Sequence, residues 1–496
     1  MQRNLQCDPV WQGGELGHPL PDSVHACSVA MPTWPQVIGY EEGDPDIMAR
    51  LKCGYPRFYC NRLVQALFHE ALAESGKAGE AAVVFPIEET AQRCADWLHA
   101  RTQCSTRLST MVGSGVVGVL FPEEFLKEAM LFWRYSGEII SSRQAENALG
   151  GRKVTHDGPE GIAARQQIKA QLAASLNVDR DDVYLFPSGM GAVYTAHRML
   201  TALRPNARTV QLEFPYVDAL RVQREFGSGV WFLPVCGDVE YAEMEKQFAE
   251  ESFAGVFCEM VSNPLMRSVD LSRLRPLLQR HGIPLAVEDT LATGVNIDPM
   301  RAADVVSTSL TKFFSGEGDV MGGALTLNPA SPFYATFKEF LRDDIALELA
   351  DEDAVVLARN AEDYGSRVRQ INGTAAEVVA FLENHPKVAQ VMYPSLQQKE
   401  LYDQWRREDG GYGGLVSFLL KNEAATPDVY DRISICKGPS LGTNFSLLCP
   451  YVLLAHYDEL EWAEELGASR NLLRMSVGLE SAKDLIARLE AGLALA

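Results

Sequence analysis

The sequence predicts an α/β protein: a mostly parallel seven-stranded sheet followed by a smaller C-terminal α+β domain. Two observations carry this. Between residues 183 and 327, seven short apolar, β-rich runs (VYLF, TVQLEF, VWFLP, GVFCEM, PLAVE, DVVSTSL and GALTL) alternate with stretches of helical spacing. Strands joined by helical crossovers run parallel, with both sheet faces covered. After a long helical segment from about 331 to 384, the runs VAQVMYP, GLVSFLL, DRISIC and LLRMSVGL then read as strands of a second, smaller domain.

The elements before the sheet are less regular. Residues 1 to about 60 are rich in Pro, Gly and aromatics without clean periodicity, as in HACSVAMPTWPQVIGYEEGDP, and read as an irregular arm that packs on something else. From about 61 to 102, Leu63, Leu67 and Ala71, then Thr90, Cys94 and Leu98, mark amphipathic helices around one short strand, AVVFP; a third helix is expected over Pro122 to Tyr135. The expected division is 1–145 for the arm and helical extension, 146–345 for the large domain and 346–496 for the smaller one. A chain of 496 residues exceeds what one small core accommodates.

Composition narrows the function. A formal charge of −21 disfavours nucleic acid and anionic lipid as partners, since both are bound through clustered Lys and Arg. Ten scattered cysteines, with no CxxC pair and no Cys/His cluster at metal-ligand spacing, read as free thiols in a reducing compartment, so no metal is expected. No basic start followed by an apolar run and no bilayer-length apolar stretch is found, and a cytoplasmic location is expected.

The candidate chemistry sits at the carboxyl ends of the strands, where sites form in such sheets. Lys312 follows the sixth strand within Ser309-Leu310-Thr311-Lys312-Phe313-Phe314. A lysine of depressed pKa forms an imine with an aldehyde cofactor, and the hydroxyls of Ser309 and Thr311 can donate to a phosphate beside it. The same four residues fit an SxxK acyltransferase pattern, but no SDN or KTG partner accompanies them. After the first strand, Ser188-Gly189-Met190-Gly191 turns into a helix, offering bare N–H groups and a positive dipole end to a phosphate or serving as a tight turn without ligand. Gly113 to Gly118 matches GxGxxG without a βαβ context and reads as a loop, which disfavours a nicotinamide dehydrogenase. Glu288 and Asp289 close the fifth strand, where a carboxylate can pair with a pyridine nitrogen or cap a helix. Tyr216 and Asn263 fall at two further strand ends, and Arg474 lies inside an apolar strand, where a guanidinium needs an anion.

Together with GYPRF, GEIISSRQAE, SLTKFFSGEGDVMGGALTLNP, KGPSLGTNFSLLCPY and LLRMSVGLE, this set resembles the Cys/Met-metabolism family of pyridoxal 5'-phosphate (PLP) enzymes, and within it the fungal-type cystathionine γ-synthases, from about residue 19 to the end. The resemblance implies the fold type I architecture and the following roles. Lys312 is the PLP lysine; Ser309, Thr311, Ser188, Gly189 and Met190 hold the phosphate. Tyr216 stacks on the ring and Asn263 sits beside the phenolic oxygen. Arg474, with Ser440 beside it, takes the substrate carboxylate. The family's ring-nitrogen aspartate aligns with Glu288 rather than Asp289; alternation along a strand lets only one serve, and Glu288 is preferred. The family's Tyr-x-Arg motif, which reaches a neighbouring subunit's phosphate, matches poorly: Ser141-Ser142-Arg143 lies at the expected distance but lacks the tyrosine, and Tyr55-Pro56-Arg57 lies far upstream. Arg143 is preferred.

The implied reaction is γ-replacement on an O-acyl-L-homoserine, with cysteine as nucleophile and Lys312 moving protons. A carbon nucleophile such as a β-keto acid, or C–S lyase chemistry, are the alternatives within the family. A retired enzyme kept for regulation is the alternative outside it. Because the phosphate site borrows from a neighbour, the resemblance also implies a homodimer or homotetramer.

Overall fold

The computed structural model describes residues 3–344 and 347–496; the expected boundary between 345 and 346 lies outside the described residues. Three sheets organise the chain. The first is formed by β1 (Glu80–Phe85), β2 (Arg107–Thr110) and β3 (Val117–Pro122), antiparallel in the order β1-β3-β2. Only β1 was expected. Thr110 pairs with Val117, so Gly113-Ser114-Gly115 is the hairpin turn between β2 and β3, and Gly118 of the GxGxxG string stands inside a strand. Gly113 and Gly115 both take positive φ, which a hairpin of this kind requires. The expected third helix runs over Leu126–Ser136 and buries Phe132 and Trp133 against this sheet's core.

The central sheet contains all seven expected strands: β4 (Val183–Phe186), β5 (Thr209–Leu212), β6 (Val230–Leu233), β7 (Gly255–Glu259), β8 (Leu285–Glu288), β9 (Val305–Ser309) and β10 (Gly323–Leu327). Their order is β4-β10-β9-β8-β7-β5-β6. The strands from β5 to β9 pair in parallel, and β10 runs antiparallel between β4 and β9. β5, β7 and β10 are buried along their whole length, as a sheet covered on both faces requires.

The last sheet joins β11 (Val388–Met392), β12 (Leu415–Leu420), β13 (Cys436–Lys437), β14 (Leu447–Pro450) and β15 (Leu473–Ser476) in the order β11-β12-β15-β14-β13. The single helical segment expected from 331 to 384 is three helices, Tyr334–Asp344, Asp351–Asn360 and Tyr364–Asn384. The arm packs on the rest of its own chain: Met31 N–H donates to the Lys437 carbonyl (3.0 Å), the Tyr430 hydroxyl to the Met31 carbonyl (2.7 Å), and Cys27 N–H to the Gly318 carbonyl (2.7 Å).

Candidate active site

The parallel register brings three strand ends level: Glu259 of β7 pairs with Glu288 of β8, and Glu288 with Ser307 of β9. Level partners project from the same sheet face, so both carboxyls meet on one floor. They line a cavity of about 600 Å³ together with Gly189, Met190, Tyr216, Asn263, Ser309, Lys312 and Arg474, and with Tyr55 and Arg57 from the arm. Alternation sends Asp289 to the other side, where its carboxylate accepts from the Thr308 hydroxyl at 2.5 Å. Of the two adjacent acids, the cavity therefore receives Glu288, held by the Thr290 hydroxyl and N–H.

Lys312 follows β9 directly, and its Nζ donates to Ser440 Oγ at 3.1 Å and lies 4.3 Å from the centre of the Tyr55 ring. No carboxylate forms an ion pair with it among the described residues. Burial, then the nearby positive charges of Arg474 and Arg57, holds its pKa down to about 7. Between there and the ordinary lysine range, the unfolded chain keeps a proton that the folded chain lacks, so stability of the cofactor-free protein rises with pH across that window. The free amine is the form able to act as a nucleophile toward an aldehyde. Capture of PLP by cofactor-free protein, followed by stopped-flow absorbance, is accordingly expected to quicken roughly tenfold per pH unit up to about 7 and to level off above it.

Glu259 and Glu288 share an environment that disfavours charge. Burial lifts Glu288 to about 8, with Asp289 adding to the rise, and burial plus Glu288 lifts Glu259 well above the usual carboxylate range. Two such neighbours hold at least one proton between them at neutral pH. Glu259 also fixes Tyr216, accepting from its backbone N–H at 2.6 Å.

At the opposite end of the cavity, Arg474 donates to the Pro439 carbonyl (2.7 Å) and to Asn263 Oδ1 (3.2 Å), and its guanidinium lies 4.2 Å from the centre of the Tyr451 ring. Asn263 in turn donates to the Tyr451 hydroxyl at 3.3 Å.

The glycine turn is built by close approach. A side chain at Gly189 would meet Ser309 Cβ at 2.6 Å, and one at Gly323 would meet the Ser188 carbonyl at 2.1 Å, so neither position accepts a larger residue. Ser188 caps the helix Gly189–Leu203: its Oγ accepts from Gly191 N–H at 3.1 Å and donates to the Gly137 carbonyl at 2.8 Å. Neither Ser188 nor Thr311 is part of the cavity wall. Thr311 exchanges hydrogen bonds with Gly322 at 3.2 and 3.3 Å.

Arg143 is not part of the wall of its own chain's cavity: its guanidinium bonds the Asp319 carbonyl (2.9 Å) and Asp353 (3.2 Å). Arg57 occupies the site instead, donating to Asp218 (2.6 Å), the Tyr216 hydroxyl (2.6 Å) and the Arg134 carbonyl (2.7 Å).

Whether PLP fits is answered by the donors left over. Among the described residues, Nε of Arg57 and Nε of Arg474 are buried without a hydrogen-bond partner, and both guanidiniums lie near enough to the Lys312 amine to lower its pKa. Unmet buried donors are costly, and an anion supplies what each lacks. The dianionic phosphate suits the helix start at Gly189, Ser309 and Arg57, and an amino-acid carboxylate suits Arg474.

These features define an enzyme that holds an aldehyde cofactor on a lysine at the mouth of a fold type I sheet. The chain belongs to the Cys/Met metabolism PLP-dependent enzyme family, whose sequence model matches residues 163–494; the model of the fungal trans-sulfuration enzyme N-terminal domain matches residues 63–141. It is 32% identical to a cystathionine gamma-synthase of Neurospora crassa, over 95% of this chain and 97% of that one. It is also 31% identical to an L-2-amino-4-chloropent-4-enoate dechlorinase/desaturase of Streptantibioticus cattleyicolor, over 93% of this chain and 95% of that one. Among solved structures, a cystathionine gamma synthase from Xanthomonas oryzae pv. oryzae in complex with aminoacrylate and cysteine superposes with a TM-score of 0.61 at 26% identity, covering 68% of this chain and 86% of that one. The protein is a cystathionine γ-synthase-like PLP enzyme. No helix among the described residues is long and apolar enough to cross a membrane.

Proposed function

We propose that the enzyme carries out γ-replacement on an O-acyl-L-homoserine, with cysteine as the incoming nucleophile. The observation that supports it best is the position of the Lys312 amine: it hydrogen-bonds Ser440, whose carbonyl accepts from Arg474 at 3.3 Å, and it faces the same cavity as the Glu288 carboxyl. When bound, PLP supplies the electron sink that makes Cα and Cβ protons of an amino acid acidic. The chain does the rest. Arg474, oriented by the Asn263 Oδ1 that accepts from it, grips the substrate carboxylate and fixes the amino acid's orientation. Lys312, whose pKa burial lowers to about 7 so that a substantial neutral fraction exists near neutral pH, is the base that moves protons at Cα and Cβ while the acyl group leaves Cγ. With PLP bound, Glu288 would be the partner for the ring nitrogen and Tyr216 would cover the ring.

Arg474→Lys is expected to raise KM for the acylated homoserine about 10- to 100-fold, since a point charge replaces a planar fork that also bonds Pro439 and Asn263. Steady-state kinetics measures this. The assignment itself is tested by incubating the enzyme with O-acetyl- or O-succinyl-L-homoserine plus cysteine, homocysteine, sulfide or acetoacetate and identifying products by mass. Cystathionine is the expected product. A keto acid and free thiol would indicate lyase chemistry, and a carbon-linked product would indicate a carbon nucleophile.

A further inference from the structure

Glu259 and Glu288 end neighbouring parallel strands at the same level, and both line the cavity. Their surroundings differ. Glu288 is partly open, and its carboxylate accepts from the hydroxyl and the N–H of Thr290. Both contacts donate to it, so both favour its charged form; Lys312 adds to this and Asp289 opposes it. Glu259 is 5% exposed, and its one hydrogen bond among the described residues comes from Tyr216 N–H at 2.6 Å. The groups that face Glu259 are Glu288, Tyr216 and Tyr451, none of them a cation. No Lys or Arg forms an ion pair with it among the described residues, and Arg474 is engaged with the Pro439 carbonyl, Asn263 and the Tyr451 ring. Burial and the neighbouring Glu288 both oppose a charge on Glu259. Two ionised carboxyls on this floor would leave one buried charge uncompensated, because the ring nitrogen of PLP carries at most one positive charge.

We propose that Glu259 is a positioning residue that works as a neutral acid: it keeps its proton, holds Tyr216 in place through a carboxyl oxygen, and leaves the single negative charge of the floor to Glu288. The role needs no charge on Glu259, since an uncharged carbonyl oxygen accepts a backbone N–H equally well in geometry. The proposal rests on Glu288 as the partner of the ring nitrogen and on Tyr216 as the residue that covers the ring, and on no particular nucleophile.

An amide has the shape of a protonated acid and keeps one acceptor oxygen, so Glu259→Gln separates this role from that of an ionised carboxylate. For PLP-loaded protein at neutral pH, the infrared difference spectrum of wild type minus Glu259→Gln is expected to show the carbonyl band of a protonated carboxylic acid. Carboxylate bands in its place would overturn the proposal. By the visible absorbance of bound cofactor, Glu259→Gln is expected to bind PLP within about threefold of wild type, and Glu259→Ala, which leaves the Tyr216 N–H without its acceptor, about tenfold more weakly. A loss of about tenfold or more in Glu259→Gln, or none in Glu259→Ala, would equally overturn it. Reading the same infrared band against Glu259→Ala covers the case in which the glutamine variant fails to fold. Glu288→Gln tells the two assignments apart. It is expected to change the pH dependence of the cofactor's absorbance, and wild-type behaviour there would remove Glu288 from the ring nitrogen and the proposal with it. With that dependence changed and the acid band missing, only the role given to Glu259 falls.

Discussion

Lys312→Ala should abolish turnover, with kcat falling on the order of 10⁴-fold or more, because in the proposed reaction the same amine both anchors the cofactor and moves the protons. The visible absorbance of bound cofactor should vanish with it. The fold should not suffer. In the cofactor-free protein the Lys312 amine is buried with one serine hydroxyl and no ion-pair partner among the described residues, a position that burial makes unfavourable for the charged form. The thermal midpoint of cofactor-free Lys312→Ala is therefore expected to equal or exceed that of the cofactor-free wild type by differential scanning fluorimetry, while activity disappears. A variant that lost stability and kept part of its activity would remove Lys312 from the centre of the chemistry.

Asp218→Asn should have the opposite signature. Burial raises the pKa of this carboxyl, but Arg134 and Arg57 outweigh burial and hold it below the usual carboxylate range. A group depressed in this way stabilises the fold above its unfolded pKa, and the contribution disappears as pH falls through the folded one. Removing the charge leaves Arg57 buried without a counter-ion, which costs about 3–5 kcal/mol when one partner of a buried pair is lost. Denaturant titration of the cofactor-free protein should show that loss at neutral pH and a much smaller difference in acid. Excess PLP should recover part of it, since the phosphate replaces the missing anion beside Arg57, whereas pyridoxal, which lacks the phosphate, should not.

How much of this was legible in the sequence depends on the distance over which each signal acts. The seven strands of the central sheet are visible because continuous apolar runs bounded by turns are local features. β2 and β3 escaped because four- and six-residue strands joined by a tight hairpin look like a loop until they pair. The preference for Glu288 over Asp289 came from where the family's aspartate aligns, and alternation said only that both cannot serve; the structure directs the two carboxyls to opposite sides. Glu259 carried a usable signal, a carboxylate ending the run GVFCEM, but its importance comes from lying level with Glu288, a register that neither strand encodes alone. That Tyr55 and Arg57 line the cavity of their own chain could not be read from spacing, because an inserted three-stranded domain separates them from the glycine turn in sequence. Burial alone would not have identified the cofactor lysine either. Lys437 is fully buried and also held down to about 7 by burial, but it donates to the Tyr430 carbonyl and is not part of the wall of the cavity that Lys312 lines.

The antiparallel strand β10 sets an order of assembly. Gly323 stands opposite Phe186 on one side and Ser309 on the other, and only through it are Ser188 and Gly189 laid across to Ser309. The two halves of the phosphate cradle come from distant parts of the polypeptide and have no shared strand pairing until that ribbon slots between them. A chain lacking residues 323–327 is therefore expected to bind PLP poorly, because no strand would join β4 to β9 and hold the proposed phosphate-binding residues side by side.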